Sequence, residues 1–253
     1  MTGDDHVLAR DLAGQAGTRL LELRAQGGDP DVLRKTGDRL SHEFLTAALA
    51  DARPGDVVLS EEGADNPARL TARRVWIVDP LDGTREFGEP GRTDWAVHVA
   101  LWESGANDLT AGAVALPAQD RVLSTAEPPP LLAAGEAPAK IRIVVSRSRP
   151  PQFVRNISGL IDAELVPLGS AGAKVAAVIN GEVDAYVHGG GFYEWDTAAP
   201  VAVARAAGLH ASRIDGSDLA YNQVDLLMPD ILVCRPAIAG VLLQAIREVT
   251  NAP

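Results

Sequence analysis

The segment Asp79-Pro80-Leu81-Asp82 places two carboxylates three positions apart at the end of an apolar run, residues 76–78. Pro80 restricts φ and stiffens the turn, so that both carboxylates can point in the same direction. Two anions at that separation repel each other unless a positive charge lies between them. The spacing therefore predicts a site that holds a cation.

Further acids follow other predicted elements. Glu61 and Glu62 come after a strand-like run, and Asp196 lies at the predicted N-cap of a helix. Taken singly, the glutamates fit a solvated turn, Asp196 fits ordinary helix capping, and the pair at 79 and 82 fits a simple turn. Together they form an oxygen-only set, which suits Mg²⁺ and not zinc because no cluster of His and Cys accompanies it. Two such ions form a clamp for in-line attack on a phosphate ester.

Gly83 and Thr84 follow the second aspartate directly. A glycine allows close approach of the backbone, and the N–H groups at these positions can bind phosphate oxygens. The hydroxyl of Thr84 can orient a water molecule. The segment thus combines a cation site with a phosphate site.

The composition is that of an ordinary globular protein: 253 residues, 46% of them hydrophobic and 23% charged. The formal net charge of −11 argues against nucleic-acid polymers and membrane surfaces as partners, since both are polyanions. The single cysteine, Cys234, excludes an intrachain disulfide, and its apolar surroundings predict a buried thiol. The N-terminal segment does not resemble a signal peptide, and no apolar run reaches the length of about 18 residues that a spanning helix needs, so we expect a cytoplasmic protein.

Periodicity predicts an α/β fold in two parts. The first part contains helices over about 5–25 and 38–51, strands at 56–60, 73–79 and 93–102, and a hairpin from 109–117 and 121–125. Residues 126–140 are rich in proline and small residues, which predicts a loop or a domain joint. After it, strands at 141–146, 163–169, 183–188 and 230–234 alternate with helices at 150–161, 172–181, 197–208 and 236–250. We expect an N-terminal α+β domain, 1–125, with most of the metal ligands, and a C-terminal α/β domain, 140–253, that supplies Asp196 and the substrate pocket.

Three separated motifs, at residues 61–62, 79–84 and 195–199, together resemble the inositol monophosphatase superfamily of Mg²⁺-dependent, lithium-sensitive phosphatases. The resemblance covers essentially the whole chain, with the motifs in the expected order and spacing. It implies a layered αβαβα sandwich of the inositol monophosphatase/fructose-1,6-bisphosphatase type.

Within the superfamily, residues 58–62 and 79–87 look most like the 3′-phosphoadenosine-5′-phosphate phosphatases of sulfate assimilation, the CysQ type. Residues 94–102, 169–174 and 194–200 look especially like their actinobacterial form.

The resemblance implies a ligand set for two or three Mg²⁺ ions. Glu61, Asp79 and the carbonyl of Leu81 would hold the first ion, with Asp79 bridging to the second and Glu61 also placing the first ion near the nucleophile. Asp82 and Asp196 would hold the second ion beside the leaving-group oxygen.

The same resemblance assigns roles around the reacting phosphate. Asp38 occupies the position of a further aspartate that helps to place a weak third ion or the water, and Asp38 and Thr84 would activate that water. The N–H groups of Gly83 and Thr84 would bind the phosphate that is cleaved.

Two positions depart from the family pattern. Arg34-Lys35-Thr36-Gly37 replaces the usual Val-Thr pair ahead of Asp38. His188, followed by three glycines, stands where the nucleotide phosphatases often carry an arginine.

A cation for a second phosphate therefore has to come from elsewhere. Ser170 and Lys174 are the main candidates, and Arg85 is a further one. For Lys174 the alternative is a solvated helix residue, and for His188 the alternatives are a surface residue at a strand end and a contact with substrate.

The expected activity is hydrolysis of 3′-phosphoadenosine 5′-phosphate to AMP and phosphate by a metal-activated water, without a covalent enzyme intermediate. Inositol monophosphate and fructose 1,6-bisphosphate remain alternative substrates, because the metal core is shared and only the surrounding pocket selects. A phosphometabolite sensor without catalysis is a third reading. Many relatives are dimers, so the resemblance also allows a homodimer.

Overall fold

Two long helices form the first layer of the structure, a computed structural model that describes residues 4–130, 138–148 and 150–250. Helix α1 (Asp5–Ala25) has the predicted bounds. Helix α2 (Pro30–Ala52) begins at residue 30 and not at 38, because the carboxylate of Asp29 accepts the N–H groups of Asp31 and Val32 and caps it. Its first turns bury few apolar side chains, so the periodicity of buried residues begins only later in the helix.

The first sheet contains five strands in chain order: β1 (Val57–Ser60), β2 (Arg74–Asp82), β3 (Ala96–Glu103), β4 (Asp108–Leu116) and β5 (Arg121–Ser124). β1 and β2 are parallel, whereas the other neighbours are antiparallel, including the predicted hairpin of β4 and β5. β2 continues to Asp82 through a bulge, beyond its predicted end at 79. A short helix that the sequence did not predict, α3 (Thr84–Gly88), follows directly.

The second part confirms the predicted alternation of strands and helices. Its main sheet contains β6 (Arg142–Ser146), β7 (Glu164–Leu168), β8 (Ala185–His188), β10 (His210–Ser212) and β12 (Ile231–Cys234), and β9 (Phe192–Tyr193) pairs with β11 (Leu227–Met228) beside it. The strand order in the main sheet is β10-β12-β8-β6-β7. The helices are α4 (Gln152–Leu160), α5 (Ala171–Ile179), α6 (Glu194–Ala206) and α7 (Pro236–Thr250).

The elements stack as the layered αβαβα sandwich that the resemblance implied. α1 and α2 cover one face of the first sheet, α5 and α6 lie between the two sheets, and α4 and α7 cover the outer face of the second. The largest apolar cluster contains residues of both sheets and of the two central helices. Cys234 lies in the outer cluster of the second sheet and is buried, as predicted.

Helix α6 corrects the prediction for Asp196. The helix starts at Glu194 and not after Asp196, so Asp196 is its third residue and not its N-cap. The Asp196 carboxylate accepts the backbone N–H of Tyr193 at 2.6 Å. It thus still satisfies a free donor at the helix N-terminus, from one turn inside the helix.

The proline-rich stretch at 126–140 includes residues 131–137, which lie outside the described residues. The division into domains at 1–125 and 140–253 stays a prediction. Among the described residues, no helix combines the length and the apolar character needed to cross a membrane.

Helix α6 packs so closely on β4 that Gly112 has no room for a side chain. A Cβ atom at Gly112 would lie 2.7 Å from the Cβ of Ala202. We predict that Gly112→Ala lowers the free energy of unfolding by about 1–3 kcal/mol, the usual cost of overpacking a core. Urea denaturation measures this loss. Gly105→Ala is the matched control, since a Cβ atom there meets no atom within 4 Å, and an equal loss in both variants would contradict the prediction.

Candidate active site

The parallel pairing of β1 and β2 brings Glu61 to Asp79. Ser60 pairs with Val78 in the register, and the N–H of Glu61 donates to the carbonyl of Val78 at 3.4 Å. Glu61 follows Ser60 and Asp79 follows Val78, so the two acids lie side by side on neighbouring strands. Their carboxyl groups lie close enough for each to affect the pKa of the other. Glu61 as a residue is exposed at the rim of the site, although its carboxyl group is partly withdrawn from solvent beside the other acids, whereas Asp79 is 1% exposed.

The bulge at the end of β2 turns Asp82 toward Asp79. Asp79 pairs with His98 of β3, the next pair joins Asp82 to Ala96, and the register shifts in between. Helix α6 brings Asp196 to the same place. Asp79, Asp82 and Asp196 each offer a carboxylate oxygen, and these oxygens all lie within 4.8 Å of one another.

Asp82 differs from the other acids because donors surround it. Its Oδ1 accepts the N–H of Ala171 at 3.1 Å, and its Oδ2 accepts the N–H of Gly172 at 2.6 Å and the hydroxyl of Ser170. Nε2 of His98 lies 3.2 Å from Oδ2. Three of these four groups belong to the N-terminal turn of α5, whose free N–H groups favour a negative charge.

Burial and mutual repulsion shift the pKa values of the clustered carboxyl groups. Burial and the charges of Glu61 and Asp82 raise the pKa of Asp79 well above its usual range. Burial and the charge of Asp196 raise the pKa of Glu61 to about 7, and burial and the charge of Asp82 raise that of Asp196 to about 6. Burial alone would also raise the pKa of Asp82, but His98, Lys174 and Ser170 lower it to about 2.

These residues fit a hard divalent cation. The donors are carboxylate oxygens and a nearby backbone carbonyl, which is the chemistry that Mg²⁺ prefers. Burial and mutual repulsion outweigh the attraction of nearby positive groups at Asp79, Glu61 and Asp196, because the pKa of each is raised. Asp82 keeps a free lone pair on Oδ1, which accepts one hydrogen bond only. The described site therefore has both the ligand atoms and the excess negative charge for such an ion.

The predicted water-activating pair, Asp38 and Thr84, lies beside this cluster. The Thr84 hydroxyl is 3.0 Å from the carbonyl of Leu81 and 3.4 Å from Oδ1 of Asp38. Burial and the charge of Glu62 raise the pKa of Asp38 to about 7. The close packing of α2 at Gly37 places Asp38 here, since a Cβ atom at Gly37 would lie 2.8 Å from the ring of Phe87.

Gly83 makes the turn that leads from β2 into α3. Its φ of 84° lies in the left-handed region, where other residues are strained. A Cβ atom there would also lie 3.0 Å from Cβ of Ser170 and 3.2 Å from the carbonyl oxygen of Asp94. Thr84 is the first residue of α3, and the contact of its backbone N–H with a phosphate stays a prediction.

A cavity of about 580 Å³ opens beside the acids. Its walls include the predicted substrate residues Gly83, Thr84, Arg85, Ser170, Lys174, His188 and Asp196. Arg85 is largely exposed and its guanidinium lies 3.1 Å from Glu89. The His188 ring is half-buried at the end of β8, with its centroid 4.9 Å from that of Phe192.

Lys174 is not the solvated helix residue that one reading of the sequence allowed. It is 6% exposed, and its ammonium group donates to the carbonyls of Gly169 and Ser170. It also lies 5.3 Å from the ring centroid of Tyr186. Burial lowers the pKa of Lys174, and the surrounding carboxylates oppose that shift. Its charge therefore serves the loop that carries Ser170 as well as the cavity.

The inositol monophosphatase family model matches residues 10–251. A 3′-phosphoadenosine 5′-phosphate phosphatase of Mycobacterium leprae is 51% identical over 97% of this chain and 94% of its own length. The 3′(2′),5′-bisphosphate nucleotidase CysQ of Escherichia coli (strain K12) is 32% identical over 83% of this chain and 91% of its own length. This chain belongs to the inositol monophosphatase family. It is thus a phosphatase in class, and the phosphate ester it hydrolyses is considered below.

Solved structures of this family share the fold. Inositol monophosphatase-II from Staphylococcus aureus superimposes with a TM-score of 0.81 at 20% identity, covering 96% of both chains. CysQ from Bacteroides thetaiotaomicron superimposes with a TM-score of 0.77 at 28% identity, covering 91% of this chain and 97% of that one. The layered α/β architecture of this member is therefore that of the family.

The sequence did not point to three residues at the site. His98 contacts Asp82, while Arg147 and Tyr186 line the cavity. The only signal for His98 is a polar residue inside the apolar strand 95–102, which periodicity treats as an exception. Arg147 follows β6 and pairs with Glu86 at 2.7 Å and Glu89 at 3.0 Å, a contact between distant parts of the chain that no local pattern announces.

The repulsion among the carboxylates predicts a response to Mg²⁺ in a thermal denaturation assay. Mg²⁺ at about a hundred times its dissociation constant adds about 2.7 kcal/mol of stability, a Tm rise of roughly 5–10 °C for a chain of this size. We expect Asp79→Asn to lose this rise, yet to melt above wild type without metal. The folded wild type must hold Asp79 either charged among other acids or protonated above its ordinary pKa, and both cost free energy that Asn does not.

Exposed Asp51, on α2, supplies the matched control, Asp51→Asn. This variant should melt like wild type both with and without Mg²⁺. A metal-free Asp79→Asn protein that melts below the metal-free wild type would contradict the account of repulsion.

Proposed function

We propose that this protein hydrolyses the 3′-phosphate of 3′-phosphoadenosine 5′-phosphate, giving AMP and phosphate, with two or three Mg²⁺ ions as cofactor. The observation that carries the proposal is the cavity, where Asp82 and Asp196 of the acidic cluster meet the cationic side chains Arg85, Arg147 and Lys174. Such a cavity suits a small, multiply phosphorylated metabolite. Its volume of about 580 Å³ lies in the range of small-molecule sites.

The relatives support the choice of substrate. The Mycobacterium leprae and Mycobacterium tuberculosis proteins that carry the name 3′-phosphoadenosine 5′-phosphate phosphatase are each 51% identical to this chain. We further propose that the activity belongs to sulfate assimilation and that the protein is cytoplasmic. The inositol monophosphatases are more distant, at 20% identity for the Staphylococcus aureus protein.

Glu61, Asp79, Asp82, Asp196 and the Leu81 carbonyl would hold the Mg²⁺ ions. When bound, Mg²⁺ neutralises the acids and stabilises charge on the attacking and leaving oxygens of an in-line displacement. The N–H groups of Gly83 and Thr84 then orient the phosphate of the 3′ ester.

Asp38 and Thr84 accept and transfer a proton from the attacking water. The water oxygen forms a bond to phosphorus as the bond from phosphorus to the 3′ oxygen breaks. One proton of the water passes by way of the Thr84 hydroxyl to Asp38, which later releases it to solvent. The 3′ oxygen leaves with the electron pair of the broken bond and takes a proton from a solvent water, giving the 3′ hydroxyl. A carboxyl group with a pKa of about 7, such as Asp38, is well matched to accept a proton near neutral pH.

The test is phosphate release by the purified protein with Mg²⁺, comparing 3′-phosphoadenosine 5′-phosphate, inositol 1-phosphate and fructose 1,6-bisphosphate. We expect kcat/KM to favour the nucleotide by about a hundredfold, or roughly 2.7 kcal/mol of differential transition-state binding. Comparable rates on all three substrates would still show a phosphatase, but one of broad specificity and not one selective for the nucleotide. Adenosine 3′-phosphate as a fourth substrate isolates the contribution of the 5′-phosphate.

Asp38→Asn separates the proton acceptor from the metal ligands. We expect kcat to fall by about 10²–10⁴, the usual range for loss of a general base, while the Mg²⁺-dependent rise in Tm is retained. Glu43→Gln is the control, because Glu43 is an exposed acid on the same helix. A kcat that stays within a few-fold of wild type would remove Asp38 from this role. Substrate binding without turnover in the wild type would instead indicate a sensor.

A further inference from the structure

His98 lies at the centre of β3 with its imidazole ring between two parts of the site. The residue is 0% exposed. Its Nδ1 lies 3.1 Å from the carbonyl oxygen of Trp195, and its Nε2 lies 3.2 Å from Oδ2 of Asp82. Trp195 directly precedes Asp196. The ring thus connects one proposed metal ligand to the backbone beside another.

The position of His98 follows from the register of the sheet. His98 pairs with Asp79 across β2 and β3, so its side chain lies on the face that carries Asp79. That face is otherwise apolar, since Ala96 and Ala100, two residues to either side, belong to the core shared with α5 and α6. A buried polar ring among such neighbours is costly unless its nitrogen atoms are bonded. The hydrogen bond at Nδ1 satisfies one nitrogen. The other, Nε2, has no hydrogen-bond partner of good geometry among the described residues, but it faces the Asp82 carboxylate at ion-pair distance, which offsets part of the cost.

Close packing holds the ring against α5. A Cβ atom at Gly172 would lie 2.1 Å from Nε2 of His98, far inside any real contact. Gly172 also donates its N–H to Oδ2 of Asp82, the same oxygen that faces the ring. The absence of a side chain at residue 172 therefore lets the helix and the ring approach one carboxylate oxygen together.

We propose that His98 is a positioning residue that fixes the Asp82 carboxylate relative to Asp196, and so sets the geometry of the cation site. This inference rests on the proposed Mg²⁺ site. Without the ring, Asp82 keeps its hydrogen bonds to α5 but loses its contact with a side chain of β3. The start of α6 also loses its link to β3 through the Trp195 carbonyl. The spacing of the two acids is then less fixed, and the ion binds more weakly.

The experiment is calorimetric titration of the purified full chain with MgCl₂, with urea denaturation of each variant. Partners of metal ligands typically contribute about 10–100-fold to affinity, and we expect His98→Ala to weaken Mg²⁺ binding by that factor. His98→Gln places an amide nitrogen near the position of Nε2, whereas His98→Asn places one near that of Nδ1. We expect Gln to restore part of the affinity and Asn to restore less.

Val99→Ala is the control for stability. Val99 is the next residue of β3, equally buried, and packs on the opposite face in the cluster with α1. This variant should lose stability but bind Mg²⁺ like wild type. If His98→Ala also binds Mg²⁺ like wild type, His98 is a structural residue only and the inference is overturned.

A second test of the contact between His98 and Asp82 changes Gly172, in the wild type and in His98→Ala. Gly172→Ala introduces a methyl group where Nε2 lies, so it should weaken Mg²⁺ binding in the wild type and much less in His98→Ala. Equal effects in both backgrounds would overturn the inference even if His98→Ala folds poorly. Failure of the wild type to bind Mg²⁺ at all is a different result, because it would overturn the metal site itself.

Discussion

Repulsion among buried carboxylates is the constraint around which this molecule is organised. Asp79, Asp82 and Asp196 offer oxygens within 4.8 Å of one another, with Glu61 beside them at the edge. A fold can carry such a cluster only if it supplies donors or if a cation joins it. This protein does the first for Asp82, with the N-terminus of α5 and His98. It leaves the other acids with raised pKa values, and a bound cation would relieve the repulsion that helps to raise them.

The architecture supplies these acids from elements that could not otherwise meet. A parallel pair, β1 and β2, sets Glu61 beside Asp79, and a bulge turns Asp82 to the same side. The central helix layer then closes the site, because the N-termini of α5 and α6 both reach it between the two sheets. The layered sandwich therefore brings two strand ends and two helix starts to one point.

The sequence allowed the acids and the fold to be predicted because the motifs are local. Residues 79–84 report a strand, a turn and two carboxylates within one short stretch. Predictions failed where long-range packing decides. The local pattern predicts Asp196 as an N-cap, but the helix starts earlier, with Tyr193 at the N-cap position. Burial of Lys174 and the contact of His98 with Asp82 depend on how separate elements pack together, and periodicity carries no information about that packing.

The net charge of −11 opposes the binding of an anionic substrate, and the cavity offsets this only in part. Each of its three cationic side chains is already engaged: Arg85 with Glu89, Arg147 with Glu86 and Glu89, and Lys174 with two carbonyls. A phosphorylated substrate would therefore meet a field that these residues only partly offset. A divalent cation at the acids reverses the local sign. Under the proposed function, the same repulsion that strains the metal-free site makes cation binding a condition for substrate binding, so the cluster controls both stability and affinity.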